Sequence, residues 1–270
     1  MIHFPCSKWD DTKTPIVEKG LIWSYAEEIV RDYKPSLLRE PQKINAYHFL
    51  ESYLGVTIDY QDIFYAEGES YIAGATAFND EPLRVFDKDG FCVRTIEVKA
   101  NTIILDNQIM REGKEALALF TALHEAGHYT MHREAYWRSS ERTSETKPGD
   151  HGSGIACCTR NAICGQTLPA KRLTPREWRE KQANAFAAFA AMPRQTFKPY
   201  AQELIRKVGI RRGPFVISSN ASWEEWEAHD QICRTLASTY GTSFMATKYH
   251  LWELKLIMSQ LEFEHIFYQR

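Results

Sequence analysis

No apolar run in the sequence approaches the roughly 20 residues that a membrane-spanning helix needs. The opening Met1-Ile2-His3-Phe4-Pro5-Cys6 also lacks the basic and apolar regions of a signal peptide. The chain therefore reads as cytoplasmic, with no membrane partner. Net charge is nearly absent: 33 Lys and Arg against 35 Asp and Glu leave −2. Nothing draws the whole molecule to nucleic acid or to an anionic surface, and such a contact would need a local patch. Cysteine is sparse, with six in 270 residues, and no two stand at C-x-x-C spacing. In a reducing compartment all six read as reduced thiols. Cys157-Cys158 and Cys164 with His151 invite a second metal site, but adjacent cysteines rarely chelate one tetrahedral ion, and the spacing argues against it. With 44% hydrophobic and 25% charged residues, the chain can bury one sizeable core, or one domain and a small appendage.

Against this ordinary background one stretch stands out, Phe120-Thr121-Ala122-Leu123-His124-Glu125-Ala126-Gly127-His128. Its H-E-x-x-H spacing puts His124 and His128 one helical turn apart on the same face, with Glu125 beside them. Two imidazoles can then reach one metal ion. The preceding run from Ala116 to Leu123 is apolar on nearly every side, so the helix is expected to be buried. Two imidazoles and a carboxylate buried without partners would cost several kcal/mol as an order of magnitude, and a divalent cation would satisfy all three. Gly127 costs about 1 kcal/mol relative to Ala inside a helix, which makes sense if another backbone or a substrate approaches there. This helix should run from near Lys114 to about Glu134. His132 lies one turn beyond His128, where a straight helix carries it away from the ion, so it reads as a residue behind the ligands or on the surface.

The rest of the chain falls into segments. Gly20 to Tyr33 has apolar residues at helical spacing and stops before Pro35. A second helix should come after Pro41, run through Leu54 and end at Gly55. Short β-rich runs then occupy 56–60, 71–78, 83–86, 92–98 and 102–105, with Asp87-Lys88-Asp89-Gly90 as a hairpin turn. They predict a small, mostly antiparallel sheet. The Ser-, Thr-, Gly- and Lys-rich stretch Ser139 to Leu173 reads as a long loop.

At Thr174 the pattern sharpens. Thr174 as N-cap, Pro175 at the first helical position and Glu177 three residues after the cap form a capping box. Glu180, one turn on, shares a face with Asn184, Ala187 and Ala191, whose small side chains would let this helix pack closely on the H-E-x-x-H helix. That brings a carboxylate to the two histidines and completes a His, His, Glu set of the kind that holds catalytic zinc. A solvated glutamate on a charged first turn stays open as the alternative. The C-terminal part is helical: Thr196 to Val208, a helix capped by Ser222 and Glu225, and a turn at 237–243 before a helix to Leu256. That last pair looks like a helix-turn-helix, but its second helix is poor in Arg and Lys, so packing or partner docking is favoured over DNA reading. Arg206-Lys207 with Arg211-Arg212 reads as a solvated basic cluster.

In Phe120-Thr121, His124 to His128, Glu180-x-x-Ala183-Asn184-x-Phe186-Ala187 and Met192-Pro193, the chain resembles the ImmA/IrrE family of bacterial metallopeptidases. His132 and the run Ala100 to Asp106 match further features of that family. The departures are Ala126, where Leu or Ile is usual, and Ala190-Ala191 in place of two leucines. The likeness covers roughly Gly55 to Leu256. It implies an α+β, zincin-like metallopeptidase domain over 1–213, with zinc on His124, His128 and Glu180, and a helical, helix-turn-helix-like segment over 214–270. It also implies that the substrate is a helix-turn-helix transcriptional repressor, cleaved to switch on stress or mobile-element genes. Glu125 is the expected general base. His132, Tyr129 and Asn184 are candidates to support the ligands or touch substrate, and Tyr129, His132, His229 and Tyr249 to donate to an oxyanion. Two other readings remain: a metal-binding antirepressor or sensor without protease activity, and a DNA-binding regulator acting through the C-terminal helices.

Overall fold

The computed structural model describes residues 2–137, 155–159, 173–210, 213–218 and 220–268. His151, Cys164, Arg211 and Arg212 lie outside the described residues. The chain divides into two compact units, residues 1–33 with 45–190 and residues 34–44 with 191–270.

The first unit is α+β. Helix α1 (Lys19–Tyr33) buries Ile22, Tyr25, Ala26, Ile29 and Val30 along one stripe. The expected second helix is shorter than its apolar pattern suggested: α2 (Ala46–His48) starts where Asn45 caps the His48 N–H, then widens into a π-helical turn, Phe49–Leu54. That turn buries Phe49, Leu50 and Leu54, and Gly55 closes it at φ +69°, a left-handed conformation that suits glycine. Strands β1 (Thr57–Gln61), β2 (Ile72–Ala77), β3 (Glu81–Asp87), β4 (Cys92–Val98) and β5 (Thr102–Asp106) come next. At the β3–β4 turn, Asp87 Oδ1 accepts from the Asp89 and Gly90 amides, and the left-handed conformation falls on Phe91 at φ +47°.

Helix α3 (Glu115–Met131) carries the H-E-x-x-H residues and ends at His132, short of the expected Glu134; a separate turn, α4 (Arg133–Trp137), continues the chain. The stretch read as loop holds a strand, β6 (Ile155–Thr159). Its β character depends on pairing with a strand some 80 residues earlier, which local composition does not reveal. The resulting sheet has the order β1-β5-β2-β6; β1 and β5 are parallel, and the other two ladders are antiparallel. Alternation sorts its two faces. Ala75, Ala77, Ile104, Ile155 and Cys157 form an apolar cluster with Leu83, Val85 and Val98 of the β3–β4 hairpin. Gly74 and Thr76, paired with Cys158 and Ala156, face α3 instead.

Helix α5 (Pro175–Ala191) begins with the anticipated reciprocal cap between Thr174 and Glu177. It packs on α1 through Phe186 against Tyr25, and meets α3 at Gly127. A Cβ on Gly127 would stand 3.1 Å from Ala183 Cα and 3.2 Å from its carbonyl oxygen, so the two backbones touch only because that atom is missing.

The second unit contains α6 (Arg194–Lys207), β7 (Phe215–Ile217), α7 (Trp223–Tyr240), α8 (Phe244–Glu253), β8 (Ile257–Ser259) and α9 (Gln260–Tyr268). The Ser222–Glu225 capping box starts α7, Gly241 ends it at φ +68°, and Ser243 caps α8, giving the anticipated helix-turn-helix outline. The parallel β7–β8 pair was not anticipated. The seam between units falls at 190/191 rather than 213/214, because α6 packs with α7 and α8. Phe197 meets Tyr240 and His250, the Met192 carbonyl bonds His250, and Thr196 reaches the Leu37 carbonyl. Among the described residues, no helix is long and apolar enough to cross a membrane.

The contact at Gly127 sets an expectation. In Gly127→Ala, about 1 kcal/mol of helix propensity is gained against about 1–3 kcal/mol of overpacking. A net loss of up to about 2 kcal/mol should appear in denaturant unfolding. Gly20→Ala, with nothing within 4 Å of the new atom, should instead gain up to about 1 kcal/mol. Equal gains for both would mean that α3 and α5 are not in backbone contact.

Candidate metal centre

His124 and His128 project from buried turns of α3, and Glu180 comes from the second turn of α5. The two Nε2 atoms lie 3.0 Å apart. Glu180 Oε2 is 3.3 Å from Nε2 of His124, and Oε1 is 3.4 Å from Nε2 of His128. Ligands 2.0–2.1 Å from a tetrahedral zinc stand about 3.3–3.4 Å from one another, so these atoms already outline one face of such a site. Both histidines are fully buried. Glu180 Oε2 is buried without a well-directed hydrogen bond despite its distance to His124, a shortfall that a cation would remedy and a single proton does not.

Each ring is oriented from behind. Asn184 Oδ1 lies 2.8 Å from His124 Nδ1, so a proton on Nδ1 leaves Nε2 bare for an ion. For His128 the chain of constraints starts at the Pro15 carbonyl, which can only accept. Gln182 must therefore turn its NH2 toward it, at 2.7 Å, and its Oε1 toward His132 Nε2, at 2.9 Å. His132 thus carries its proton on Nε2 and accepts at Nδ1 from His128 Nδ1, 3.0 Å away. His128 Nε2 is then bare as well. The i, i+4 spacing puts this ring beside His128 at the end of α3.

The electrostatics agree with that arrangement. Burial, the His124 charge and Arg179 push His128 down, against the pull of Glu180. Burial and His128 push His132 well down. For His124, burial opposes the charged form, but hydrogen bonding to Glu180 and the charges of Glu180 and Glu125 outweigh it and raise the ring. Glu180 is driven the other way: burial would raise it, yet the two histidines hold it far below the usual carboxylate range.

Glu125 sits beside the ligands with Oε2 accepting from Thr76 Oγ1 at 2.6 Å, while Oε1 is buried without a partner. Burial raises this carboxyl to about 8. Gly74 makes room for it; a Cβ there would stand 2.8 Å from Thr121 Cγ2 and 3.0 Å from Glu125 Oε1. Several neighbours escaped the sequence reading. Buried Arg179 donates to Thr14 and Tyr136, and the Tyr136 ring packs edge-on to His128. Cys158 belongs to a buried group with His124 and Glu180, ligand atoms all within 4.8 Å of one another, that could hold a metal ion. Of the suggested donors, Tyr129 turns its hydroxyl to Asn101, His132 is engaged by His128 and Gln182, and His229 and Tyr249 belong to the second unit.

The burial of Glu125 and the support behind His128 each have a measurable consequence. A carboxyl whose folded value lies above its unfolded one costs nothing below about pH 4.5, where it is protonated in both states, and costs more as pH rises toward about 8. Metal-free Glu125→Gln should therefore be more stable than wild type at pH 8 by on the order of a few kcal/mol. Thermal melts should show the gain fading by about pH 4; a gain independent of pH contradicts the burial of an ionisable Glu125. Removing the support behind His128 in His132→Ala should weaken metal binding by about 10- to 100-fold. Calorimetric titration showing unchanged affinity would remove His132 from that role.

No known family model matches the chain, and no curated protein matches it.

Proposed function

We propose that the chain is a zinc-dependent endopeptidase with a zincin-like core of the ImmA/IrrE kind, holding zinc on His124, His128 and Glu180. The observation that carries this reading is the pair of buried imidazole nitrogens 3.0 Å apart, each 3.3 to 3.4 Å from a different oxygen of Glu180, with one of those oxygens unsatisfied. A bound zinc would supply Lewis acidity, making water nucleophilic near neutral pH and polarising a peptide carbonyl.

The chain's own residues do the rest. Asn184 and His132 keep the imidazoles turned toward the ion. Thr76 holds one oxygen of Glu125 and leaves Oε1 to take the proton of the attacking water and pass it to the leaving amine. Burial favours such a role, since a base tuned upward works near the operating pH, and a neighbouring cation draws the value down again. Among the described residues β6 pairs only with β2. An extended substrate strand added along its other edge would lie beside the ligands. The substrate we favour is a helix-turn-helix transcriptional repressor, as the resemblance implies.

The test combines metal analysis with cleavage. Purified wild type should carry or take up one equivalent of zinc, and His124→Ala or His128→Ala should lose it. Incubated with a repressor encoded beside its gene, wild type should produce fragments, and Glu125→Gln should keep the metal yet cleave at least about 100-fold more slowly. Absence of stoichiometric metal in wild type, or cleavage by Glu125→Gln at the wild-type rate, would overturn the proposal.

A further inference from the structure

Cys158 stands where the proposed chemistry needs an open position. Strand alternation sends Cys157 into the apolar cluster against the hairpin and turns Cys158 to the opposite face, across from Gly74. Because Gly74 has no side chain, α3 settles close on the sheet and brings Glu125 and the histidines down to the level of Cys158. Cys158 Sγ, a ring nitrogen of His124 and a carboxylate oxygen of Glu180 all lie within 4.8 Å of one another. A thiolate and an imidazole on one tetrahedral zinc stand about 3.6 Å apart, so toward His124 the sulfur would have to close by up to about 1.2 Å, and toward His128, which stands outside that group, by more. Beside Gly74, the residue across from Cys158, Glu125 Oε1 is a buried oxygen without a partner.

We propose that Cys158 is a built-in inhibitory ligand that fills the fourth position of the metal centre and holds hydrolysis below its full rate, the position opening when the thiolate leaves the ion while β6 stays paired with β2. The proposal rests on the zinc reading above. Cys158 is grouped with His124 and Glu180; once the sulfur also closes on the ion held by His128, it would make a fourth protein ligand, the closed arrangement of a structural site, whereas a hydrolytic site keeps three ligands and an open position. Ligation breaks the S–H bond, forms a sulfur–metal bond and displaces one water; the proton passes to solvent. Nothing is oxidised or reduced. Cys157, one residue away on the other face of the sheet, has no such access and serves as the internal control.

X-ray absorption at the zinc edge of wild type should show one sulfur neighbour at about 2.3 Å beside nitrogen and oxygen. The cobalt-substituted protein should show a thiolate charge-transfer band that Cys158→Ala loses and Cys157→Ala keeps. Cys158→Ala should bind one equivalent of metal at least tenfold more weakly and hydrolyse substrate at least tenfold faster, and Glu125→Gln in that background should abolish the gain. One equivalent of metal with no sulfur neighbour in wild type overturns ligation by Cys158 while leaving the zinc reading intact. A sulfur neighbour with hydrolysis no faster in Cys158→Ala overturns the inhibitory role. Failure of both wild type and Cys158→Ala to bind metal overturns the zinc reading and this proposal with it. The absorption spectrum is read on wild type, whether or not Cys158→Ala folds.

Discussion

Two buried imidazoles and a carboxylate with only slight exposure share one small space, and that is the constraint on which the first unit depends. His124 and His128 are fully buried, and their Nε2 atoms approach to 3.0 Å with Glu180 closing the triangle. Such a cluster is costly unless positive charge lies within it. The protein's own hydrogen bonds meet the need only in part, because one oxygen each of Glu125 and Glu180 is left without a hydrogen bond. A divalent cation meets it more fully, and the donor set of two imidazoles and a carboxylate suits zinc.

The supporting structure arises from bringing two helices and a sheet to one point. α3 approaches α5 at Gly127 and the sheet at Gly74, two places where a methyl group would collide with the neighbouring element. The N-terminal segment takes part as well: Thr14 and Pro15 hold Arg179 and Gln182, and through Gln182 the Pro15 carbonyl sets which nitrogen of His128 carries its proton. The centre therefore joins residues near both ends of the first unit, and its geometry is linked to the stability of the whole unit rather than to one helix.

Much of this could be read from local sequence. The spacing of His124 and His128 names its own helix face, the Thr174–Glu177 and Ser222–Glu225 caps mark helix starts by their side-chain chemistry, and alternating apolar residues located β1 to β5. Features fixed by long-range partners were hidden. β6 lies in a stretch whose Ser, Thr, Gly and Lys content reads as loop, and only its pairing with β2 makes it a strand. With the strand missing, Cys158 could not be seen beside His124, and Cys157-Cys158 looked like one feature instead of two residues on opposite faces. Gln182 gave no signal because its partner is a backbone carbonyl 167 positions away.

The central claim is that a carboxylate from α5 completes a metal site begun on α3, and zinc titration of Glu180→Ala beside Glu177→Ala tests it most directly. Both residues lie near the start of α5, but Glu177 is occupied by the cap with Thr174. The account predicts zinc affinity at least about tenfold weaker in Glu180→Ala, and unchanged affinity with about 1 kcal/mol less stability in Glu177→Ala. Zinc bound by Glu180→Ala as tightly as by wild type would contradict it.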